Sequence, residues 1–329
     1  MDLLTSLPIQ ITAPQPRIEH QDKLLLLGSC FTEHIGKRLA EAKFSVLENP
    51  NGILFNPLSV VKSISSYIQN QAIAASDLFS LNEIWNHWDF HTRFSDFDKQ
   101  IAVERMNASI GAAHQYLQKA DWLIVTLGSA FQYFLHENEQ AVANCHRAPG
   151  QWFEKRLLSI ALIQEALKEM IEELKAFNPD LKIIFTISPV RHIRDGVVEN
   201  NRSKARLIEA VHEMTTLHDH CFYFPAYELV IDVLRDYRYY DIDLVHPNFA
   251  ATNAVWEQFF LHYLSEEAQT IATKMQELST AKNHKVRFPE TNAYTKFRQN
   301  FLQKIAQYQQ AYPYIDFEAE RRAFLEDSL

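Results

Sequence analysis

Three short runs of unbroken apolar residues, each followed by a segment of helical periodicity, constrain the fold of this chain more than any other feature. The runs lie at 23–28, 121–128 and 182–188. Apolar residues in an unbroken run, rather than in alternation with polar ones, are typical of strands that are covered on both faces, as in a parallel sheet. Two of the runs end at a glycine, in a chain with 7 glycines among its 329 residues. We therefore predict three buried strands of one parallel sheet.

Helical segments alternate with these strands. After the first run, Phe31, Ile35 and Leu39 recur every four residues, which is the spacing of an amphipathic helix. Shorter patterns predict strands at 44–47 and 222–225 and a hairpin of 131–135 with 141–145. Further helices are predicted from residue 57, at 100–120, at 153–177, at 201–219 and from residue 248. This alternation predicts a doubly wound α/β fold with a parallel sheet.

The C-terminal part of the chain contains helical patterns only. From residue 268 onward, Tyr294, Phe297, Phe301 and similar residues recur at spacings of three to four. We predict a helical cover packed on the core rather than an independent domain. The α/β domain is accordingly assigned to 1–266 and the helical C-terminal extension to 267–329.

Charge and composition argue against several functional classes. The 32 basic and 41 acidic side chains give a net charge of −9, which is the opposite of the bias of a nucleic-acid-binding protein. No apolar run approaches the ~18 residues of a membrane helix, and we expect no secretory leader at the N-terminus. Cys30, Cys145 and Cys221 are too few and too scattered for a disulfide framework or a thiolate metal site. We predict a cytoplasmic protein that uses no metal or cofactor and binds a small molecule rather than nucleic acid or membrane.

The polar residues beyond the predicted strands indicate where chemistry could take place, because ligands bind at the carboxyl ends of the strands in an open α/β sheet. Three stretches follow strands and a fourth forms a later loop: 28–30, 128–129, 188–192 and 243–246. They hold a serine next to a cysteine, a histidine, and an aspartate three residues before another histidine. A Ser or Cys nucleophile, an imidazole base and an acid that orients the imidazole are the groups that acyl transfer requires.

Several motifs resemble those of the GSCFA-domain family. The first is Leu27-Gly-Ser-Cys-Phe-Thr32, and the others lie at 56–59, 125–128, 144–146, 188–192 and 234–246. The similarity covers residues 20–265. The family is grouped with the SGNH (GDSL-type) hydrolases, so the resemblance implies a flavodoxin-like α/β sheet. The activity of the family itself is largely unassigned.

The resemblance also implies roles for individual residues. In the GDSL pattern the serine nucleophile stands two residues after the glycine, a position that Cys30 occupies here, with Ser29 in place of the aspartate. We predict Cys30 as the nucleophile ahead of Ser29, His246 as the base and Asp243 as the group that orients it. In the competing interpretation, Ser29 only caps a helix, Cys30 is a small buried residue, and Asp243 and His246 belong to a helix-start turn.

The oxyanion hole departs most from the hydrolase pattern. Those hydrolases have Gly-x-Asn after the third strand, whereas this chain has Gly-Ser-Ala at 128–130. We predict that Asn144, returned to this edge by the hairpin, stabilises the oxyanion together with backbone N–H groups at Gly52, Gly128 and Cys30. Alternatively, Asn144 only satisfies the backbone of the hairpin.

The remaining candidates would bind substrate. His146, Arg191 and His192 are predicted to contact it, and His192 also competes as the base. No carboxylate precedes His192 at a comparable spacing, which favours His246. Three basic residues near the start of the helix at 201–219 are predicted to lie on its solvated face: Arg202, Lys204 and Arg206.

Three functions fit these observations. The leading prediction is an SGNH-like hydrolase that acts on an acyl ester of a small metabolite or carbohydrate, by analogy of fold. The second is an acyltransferase that passes an acyl group from a Cys30 thioester to an amine or a sugar hydroxyl. The third is a non-catalytic binding or scaffold protein, which the alanine at 130 favours.

Overall fold

The computed structural model describes residues 7–284 and 287–326. The expectation about a leader rests in part on residues 1–6, which lie outside this range, as do residues 327–329 of the predicted extension. The strands are β1 (Lys23–Gly28), β2 (Ser45–Glu48), β3 (Phe79–Leu81), β4 (Ile84–Asn86), β5 (Trp122–Leu127), β6 (Phe131–Leu135), β7 (Ala141–Val142), β8 (Phe153–Leu157), β9 (Lys182–Ile187) and β10 (Cys221–Phe224). The helices are α1 (Cys30–Glu41), α2 (Pro57–Gln69), α3 (Lys99–Leu117), α4 (Ile160–Phe177), α5 (Val197–Leu217), α6 (Ala226–Glu228), α7 (Phe249–Tyr263), α8 (Glu266–Lys282), α9 (Asn292–Ala311) and α10 (Glu318–Glu326). None of the helices in this part of the chain is long and apolar enough to cross a membrane.

The central sheet has five strands among the described residues, in the order β10-β9-β5-β1-β2, and every neighbouring pair is parallel. Numbered in chain order within this sheet, the strands run 2-1-3-4-5, so the direction of winding reverses between β1 and β5. Helices α1 and α7 pack on one face, and α2, α4 and α5 pack on the other. The predicted α/β class with a parallel sheet is confirmed.

Strand β1 shows why its apolar run is unbroken. Leu24 and Leu26 belong to the apolar cluster on the side of α1 and α7, whereas Leu25 and Leu27 belong to the cluster on the side of α2, α4 and α5. All four side chains are at most 1% exposed. Burial of a leucine contributes about 1.5–3 kcal/mol, so a polar residue on either face of β1 would be strongly destabilising.

The predicted helix at 153–177 is wrong in its first turn. Phe153–Leu157 is strand β8, which pairs antiparallel with β6, and β6 in turn pairs with the short β7. Helix α4 begins only at Ile160, after Ser159, whose hydroxyl accepts a hydrogen bond from the N–H of Leu162. Phe153 and Leu157 have a helical spacing, but the backbone hydrogen bonds that β6 offers decide the local structure.

The C-terminal helices pack on the core through α8. Ala268 and Ala272 join the cluster of α1 and α7, while the other side of α8 packs against α9 and α10. The carboxylate of Glu320 in α10 lies 2.7 Å from Nζ of Lys43 and 3.0 Å from Nζ of Lys282. Burial alone would raise the pKa of Glu320, but these two hydrogen bonds hold it below its usual value. Because Lys43 lies between α1 and β2, this carboxylate ties α10 to the core.

The backbone conformation at residue 28 explains why β1 ends at a glycine. Its φ is +146°, which residues with a side chain rarely adopt, and a Cβ atom there would lie 2.3 Å from the carbonyl oxygen of Thr126 in β5. The N–H of Ser29 donates to the same oxygen at 3.2 Å. The glycine thus lets the chain turn directly from β1 into α1 and sets the position of Ser29 and Cys30.

Glu48→Gln is expected to stabilise the protein in a pH-dependent way. Burial, together with the negative charge of Glu33, raises the pKa of the Glu48 carboxyl from 4.5 to about 7. The folded state therefore holds a proton that the unfolded chain releases, and stability is lost as the pH rises from 4.5 to about 7. Gln cannot ionise, so the variant should exceed the wild type by on the order of 1 kcal/mol at pH 8, after allowance for solvent screening, and by less at pH 5.

Urea denaturation at the two pH values measures this difference. The exposed Glu209 provides a matched Glu→Gln control that should show no such pH dependence. An equal gain for Glu48→Gln at pH 5 and pH 8 would contradict the prediction.

Candidate active site

A cleft of about 600 Å³ opens at the carboxyl ends of β1, β5 and β9. It therefore includes the place where the winding of the sheet reverses, which is where open α/β sheets bind ligands. Most of the predicted site residues line it: Ser29, Cys30, Asn144, Arg191, His192, Asp243 and His246. Gly52, Gly128 and His146 are not part of its lining.

Ser29 and Cys30 lie side by side but in different environments. Ser29 is the N-cap of α1, and its hydroxyl accepts a hydrogen bond from the N–H of Phe31 at 3.2 Å. Its side chain is buried, at 3% exposure. Cys30, the first residue of the helix, is only partly buried and has a free thiol. The thiol is therefore more accessible to a substrate than the hydroxyl.

The electrostatic environment keeps the Cys30 thiol protonated. Burial, followed by the negative charge of Glu33, raises its pKa above 9.0. The N–H groups of Cys30 and Phe31 and the positive charge of Lys204 act in the opposite direction. Because only the thiolate is strongly nucleophilic, this cysteine needs a base to accept its proton.

Asp243 and His246 form a hydrogen-bonded pair in the loop before α7. One carboxylate oxygen of Asp243 accepts the N–H groups of Val245 and His246 at 2.9 and 3.0 Å, and the other lies 2.6 Å from Nδ1 of His246. The hydrogen bond from the His246 ring, followed by these backbone bonds, lowers the pKa of Asp243 to about 2. An ionised carboxylate only accepts, so Nδ1 carries the proton of this bond and Nε2 is left as the nitrogen that can accept one.

Arg191 braces this loop. Its backbone N–H donates to the carbonyl of Val245 at 3.2 Å, and its guanidinium donates to the carbonyl of Leu244 at 3.4 Å. The guanidinium also lies over the rings of Tyr240 and Tyr237, with 4.3 and 5.3 Å to the ring centroids. Arg191 therefore positions the segment that carries Asp243 and His246, in addition to the substrate contact predicted for it.

His192 lines the cleft as a neutral imidazole. Its ring lies 5.1 Å from that of Phe55 between centroids. Burial, followed by the positive charges of Lys204 and Lys155, lowers its pKa to about 4. An imidazole with such a pKa is a weak base near neutral pH, which favours His246 for that role.

Gly52 and Gly128 are predicted to supply N–H donors to an oxyanion, but the N–H groups of both residues already donate to backbone carbonyls. The N–H of Gly52 donates to the carbonyl of Asn49 at 2.7 Å, and the N–H of Gly128 donates to that of Phe55 at 2.8 Å. Both donors are used within the backbone and neither residue lines the cleft.

Other groups at the cleft are better placed to donate. Within the described part of the chain, the N–H groups of Cys30 and Ile53 donate to no backbone carbonyl, and both residues line the cleft. Cys30 is at the start of α1, where the helix itself provides no acceptor. Asn144 also lines the cleft, but its Oδ1 accepts the N–H of His146 at 2.9 Å, so only its Nδ2 group is available as a donor.

His146 is predicted to contact substrate, but it does not line the cleft. Its Nε2 lies 2.8 Å from the carbonyl oxygen of His87 and its Nδ1 lies 3.4 Å from Oγ1 of Thr92. The ring packs edge-on against Phe79 at 5.7 Å. His146 holds neighbouring loops together outside the cleft.

Lys204 is the residue that sequence reasoning most clearly misplaced. The sequence predicts a solvated side chain, but Lys204 is 1% exposed, and its Nζ donates to the carbonyls of Gly128 and Ser188 at 2.6 Å each. The spacing of residues in α5 could have predicted this burial. Lys204 stands three residues before Leu207 and seven before Val211, so it lies on the apolar face of the helix.

The rest of the cleft wall is largely apolar and aromatic. It includes Phe131 and Tyr133, with the ammonium of Lys155 at 4.5 and 5.5 Å from their ring centroids. Lys155 also pairs with Asp195 at the rim. Across residues 7–284 and 287–326, no three His, Cys, Asp or Glu side chains are grouped so that they could hold a metal ion.

Comparison with protein-family models gives two matches. A model described as the GSCFA family matches residues 23–259, and a model described as the GSCFA domain protein, C-terminal domain, matches residues 260–327. The division between them falls within α7. No curated protein matches the chain.

Proposed function

Because the chain belongs to the GSCFA family, and because a thiol, an imidazole and a carboxylate line one cleft, we propose that it hydrolyses acyl esters. In this proposal Cys30 is the nucleophile, His246 the base and Asp243 the group that orients the base. The observation that carries the proposal is the 2.6 Å Asp243–His246 pair, which lies in the same cleft as the thiol at the start of α1.

The proposal includes a relationship to the SGNH (GDSL-type) hydrolases. The strand order 2-1-3-4-5 is the flavodoxin-like order. A nucleophile directly after the first strand and a late Asp-x-x-His agree with that superfamily. A cleft of about 600 Å³ has the size of a small-molecule site, so we propose a small metabolite or carbohydrate ester as substrate. A cytoplasmic location is part of the proposal, because the thiol must stay reduced.

The first half-reaction transfers the acyl group to sulfur. Nε2 of His246 accepts the thiol proton of Cys30 while Sγ forms a bond to the ester carbonyl carbon. The N–H groups of Cys30 and Ile53 and the Nδ2 group of Asn144 are the proposed donors to the oxyanion. When the oxyanion collapses, the C–O bond breaks and Nε2 returns the proton to the leaving oxygen. An alcohol departs and a thioester remains on Cys30.

The second half-reaction regenerates the enzyme. Nε2 of His246 accepts a proton from water while the water oxygen forms a bond to the thioester carbon. The C–S bond then breaks, Cys30 regains its proton from Nε2, and a carboxylic acid departs. Asp243 stays ionised throughout, as its low pKa requires.

Trapping of the acyl-enzyme tests this proposal. We expect brief incubation with p-nitrophenyl acetate, acid quenching and peptide mapping by mass spectrometry to find one acetyl group on Cys30. The Cys221→Ala variant is the control, because Cys221 is a buried residue of β10, outside the cleft. It should be acetylated on Cys30 as the wild type is.

Three other results would each contradict part of the proposal. An acetyl group on Ser29 would assign the serine as nucleophile. Faster transfer to an added amine or sugar hydroxyl than to water would make the protein an acyltransferase. No acetyl group on any residue of the cleft, with no release of acetate, would favour a binding or scaffold protein.

A further inference from the structure

A second pocket lies beside the loop at 87–91. It has a volume of about 390 Å³, which is within the range of small-molecule sites. Residues of α2, of α3 and of 87–90 in the loop line it, whereas His91 lines the cleft. The carbonyl of Trp88 accepts the N–H groups of Ala143 and Asn144 at 3.0 Å each, and both of these residues line the cleft. The two spaces therefore share this loop as a boundary, but no described residue lines both.

His87 brings an unused hydrogen-bond donor to the second pocket. Its Nδ1 accepts the N–H of Asp89 at 3.1 Å. Burial lowers the pKa of His87, so the ring is neutral near pH 7 and its proton lies on Nε2. The residue is 8% exposed, and Nε2 makes no hydrogen bond within residues 7–284 and 287–326. Because buried donors are nearly always satisfied in folded proteins, this one indicates an occupant.

Lys62 and Asp89 add two opposite charges to the lining. Nζ of Lys62 lies 2.7 Å from Oδ2 of Asp89, whose side chain is 14% exposed. The other carboxylate oxygen, Oδ1, accepts no hydrogen bond from the part of the chain that the structure describes. An ammonium has three N–H donors and a carboxylate oxygen can accept more than one bond. The pair therefore offers both a donor and an acceptor to a ligand, without net charge.

The charges of the lining favour a neutral ligand. Besides the Lys62–Asp89 pair, the charged side chain among the described lining residues is that of Asp77. Its carboxylate already accepts the N–H of Ala74 at 2.8 Å and the hydroxyl of Ser76 at 3.3 Å. Two carboxylates disfavour an anion, and the ammonium of Lys62 disfavours a cation.

The mixture of donors and acceptors favours a ligand with several hydroxyl groups. A hydroxyl donates one hydrogen bond and accepts others, so it can use either kind of group. The side-chain amides of Gln71 and Gln140, which also line the pocket, likewise offer both. Ile73, Phe90 and Ile110 supply apolar surface for the C–H groups of such a ligand.

We propose that this pocket is a second binding site, separate from the cleft, for a neutral polyhydroxylated small molecule of the sugar or cyclic polyol class. Nε2 of His87 and Nζ of Lys62 donate to its hydroxyl oxygens, and Oδ1 of Asp89 accepts from a hydroxyl. The inference goes beyond the proposed function, because none of these residues takes part in ester hydrolysis.

Saturation-transfer-difference NMR with D-glucose, D-galactose, N-acetyl-D-glucosamine and myo-inositol tests the proposal. At least one of these compounds should bind the wild type, and a titration then gives its Kd. Lys62→Met removes the ammonium and should weaken binding about tenfold, the effect of one hydrogen bond to a charged group. His87→Asn keeps an acceptor for the N–H of Asp89 but removes the Nε2 donor, and should weaken binding about fivefold.

Two further variants make the comparison specific. Lys168→Met is the matched control, because Lys168 is an exposed helical lysine that also pairs with a carboxylate, that of Glu172. It should bind as the wild type does. Ala72→Phe adds a ring at an exposed position of the lining and should block the pocket without removing any of the proposed contacts. Melting temperatures identify any variant that does not fold, and the folded ones decide the test.

Alkylation of Cys30 with iodoacetamide separates the two spaces. It blocks the cleft and should leave binding unchanged. Binding that is lost on alkylation, or that survives every folded pocket variant, would place the compound elsewhere and overturn the proposal. So would the absence of binding by the whole panel at millimolar concentration, or tighter binding of inorganic phosphate than of any panel compound. Binding at the pocket of a protein that hydrolyses no ester would support the second site and contradict only the proposed function.

Discussion

Cys30→Ala is expected to reduce ester hydrolysis by on the order of 10³–10⁶-fold, the range seen when a nucleophile is removed from a hydrolase. The free thiol of Cys30 is partly exposed at the start of α1, whereas the neighbouring residue Ser29 is buried and its hydroxyl caps the helix. Initial rates of p-nitrophenol release from p-nitrophenyl acetate measure the effect. The melting temperature should stay close to that of the wild type, because the substitution removes one partly buried sulfur atom.

The neighbouring serine provides the matched comparison. Ser29→Ala removes the N-cap and should lower stability by about 1 kcal/mol, while its effect on turnover should be far smaller than that of Cys30→Ala. Cys30→Ser keeps a nucleophilic atom at the same place and should fall between Cys30→Ala and the wild type. Loss of turnover in Ser29→Ala with turnover retained in Cys30→Ala would show that the serine is the nucleophile.

His246→Ala is expected to lower turnover by about 10²–10⁴-fold at neutral pH, the usual contribution of a general base. Without the imidazole, only the fraction of Cys30 that is already ionised can react. Burial and Glu33 raise the pKa of this thiol above 9.0, so the residual rate should increase about tenfold per pH unit between pH 6 and pH 9. Measurement of kcat/KM across this range gives the slope directly.

Asp243→Asn is the companion variant. It keeps the shape of the side chain but removes the charge that holds Nδ1 of His246 protonated, so the imidazole can adopt the wrong tautomer. We expect a loss similar in direction to that of His246→Ala. A larger loss in His192→Ala than in His246→Ala would assign the base to His192 and contradict this assignment.

Patterns of neighbouring residues correctly predicted the elements whose structure depends mainly on short-range geometry and burial. In β1, four leucines in a row favour a strand covered on both faces, and its alternate side chains do enter two different clusters. The pairing of Asp243 with His246 is equally local. The two residues stand three positions apart in one turn, so their contact depends on short-range backbone geometry.

Two predictions failed where a distant partner changed the outcome. Residues 153–157 have a helical spacing of apolar residues but form β8, because β6 offers a complete set of backbone hydrogen bonds to that segment. The charge of Lys204 suggested a solvated residue, but its position in the apolar stripe of α5 places it under the sheet, where two carbonyls solvate it. In both cases the decisive partner lies far away in the sequence.

The sequence by itself determined the parallel strands, the helix that starts after Ser29 and the Asp243–His246 turn, because each depends on residues within one strand or one turn. Only the tertiary structure decided that the N–H groups of Gly52 and Gly128 donate to backbone carbonyls and that Lys204 lies between the carbonyls of Gly128 and Ser188. Hydrogen bonds to remote carbonyls follow from how the sheet and helices pack, and no local pattern around either partner encodes them.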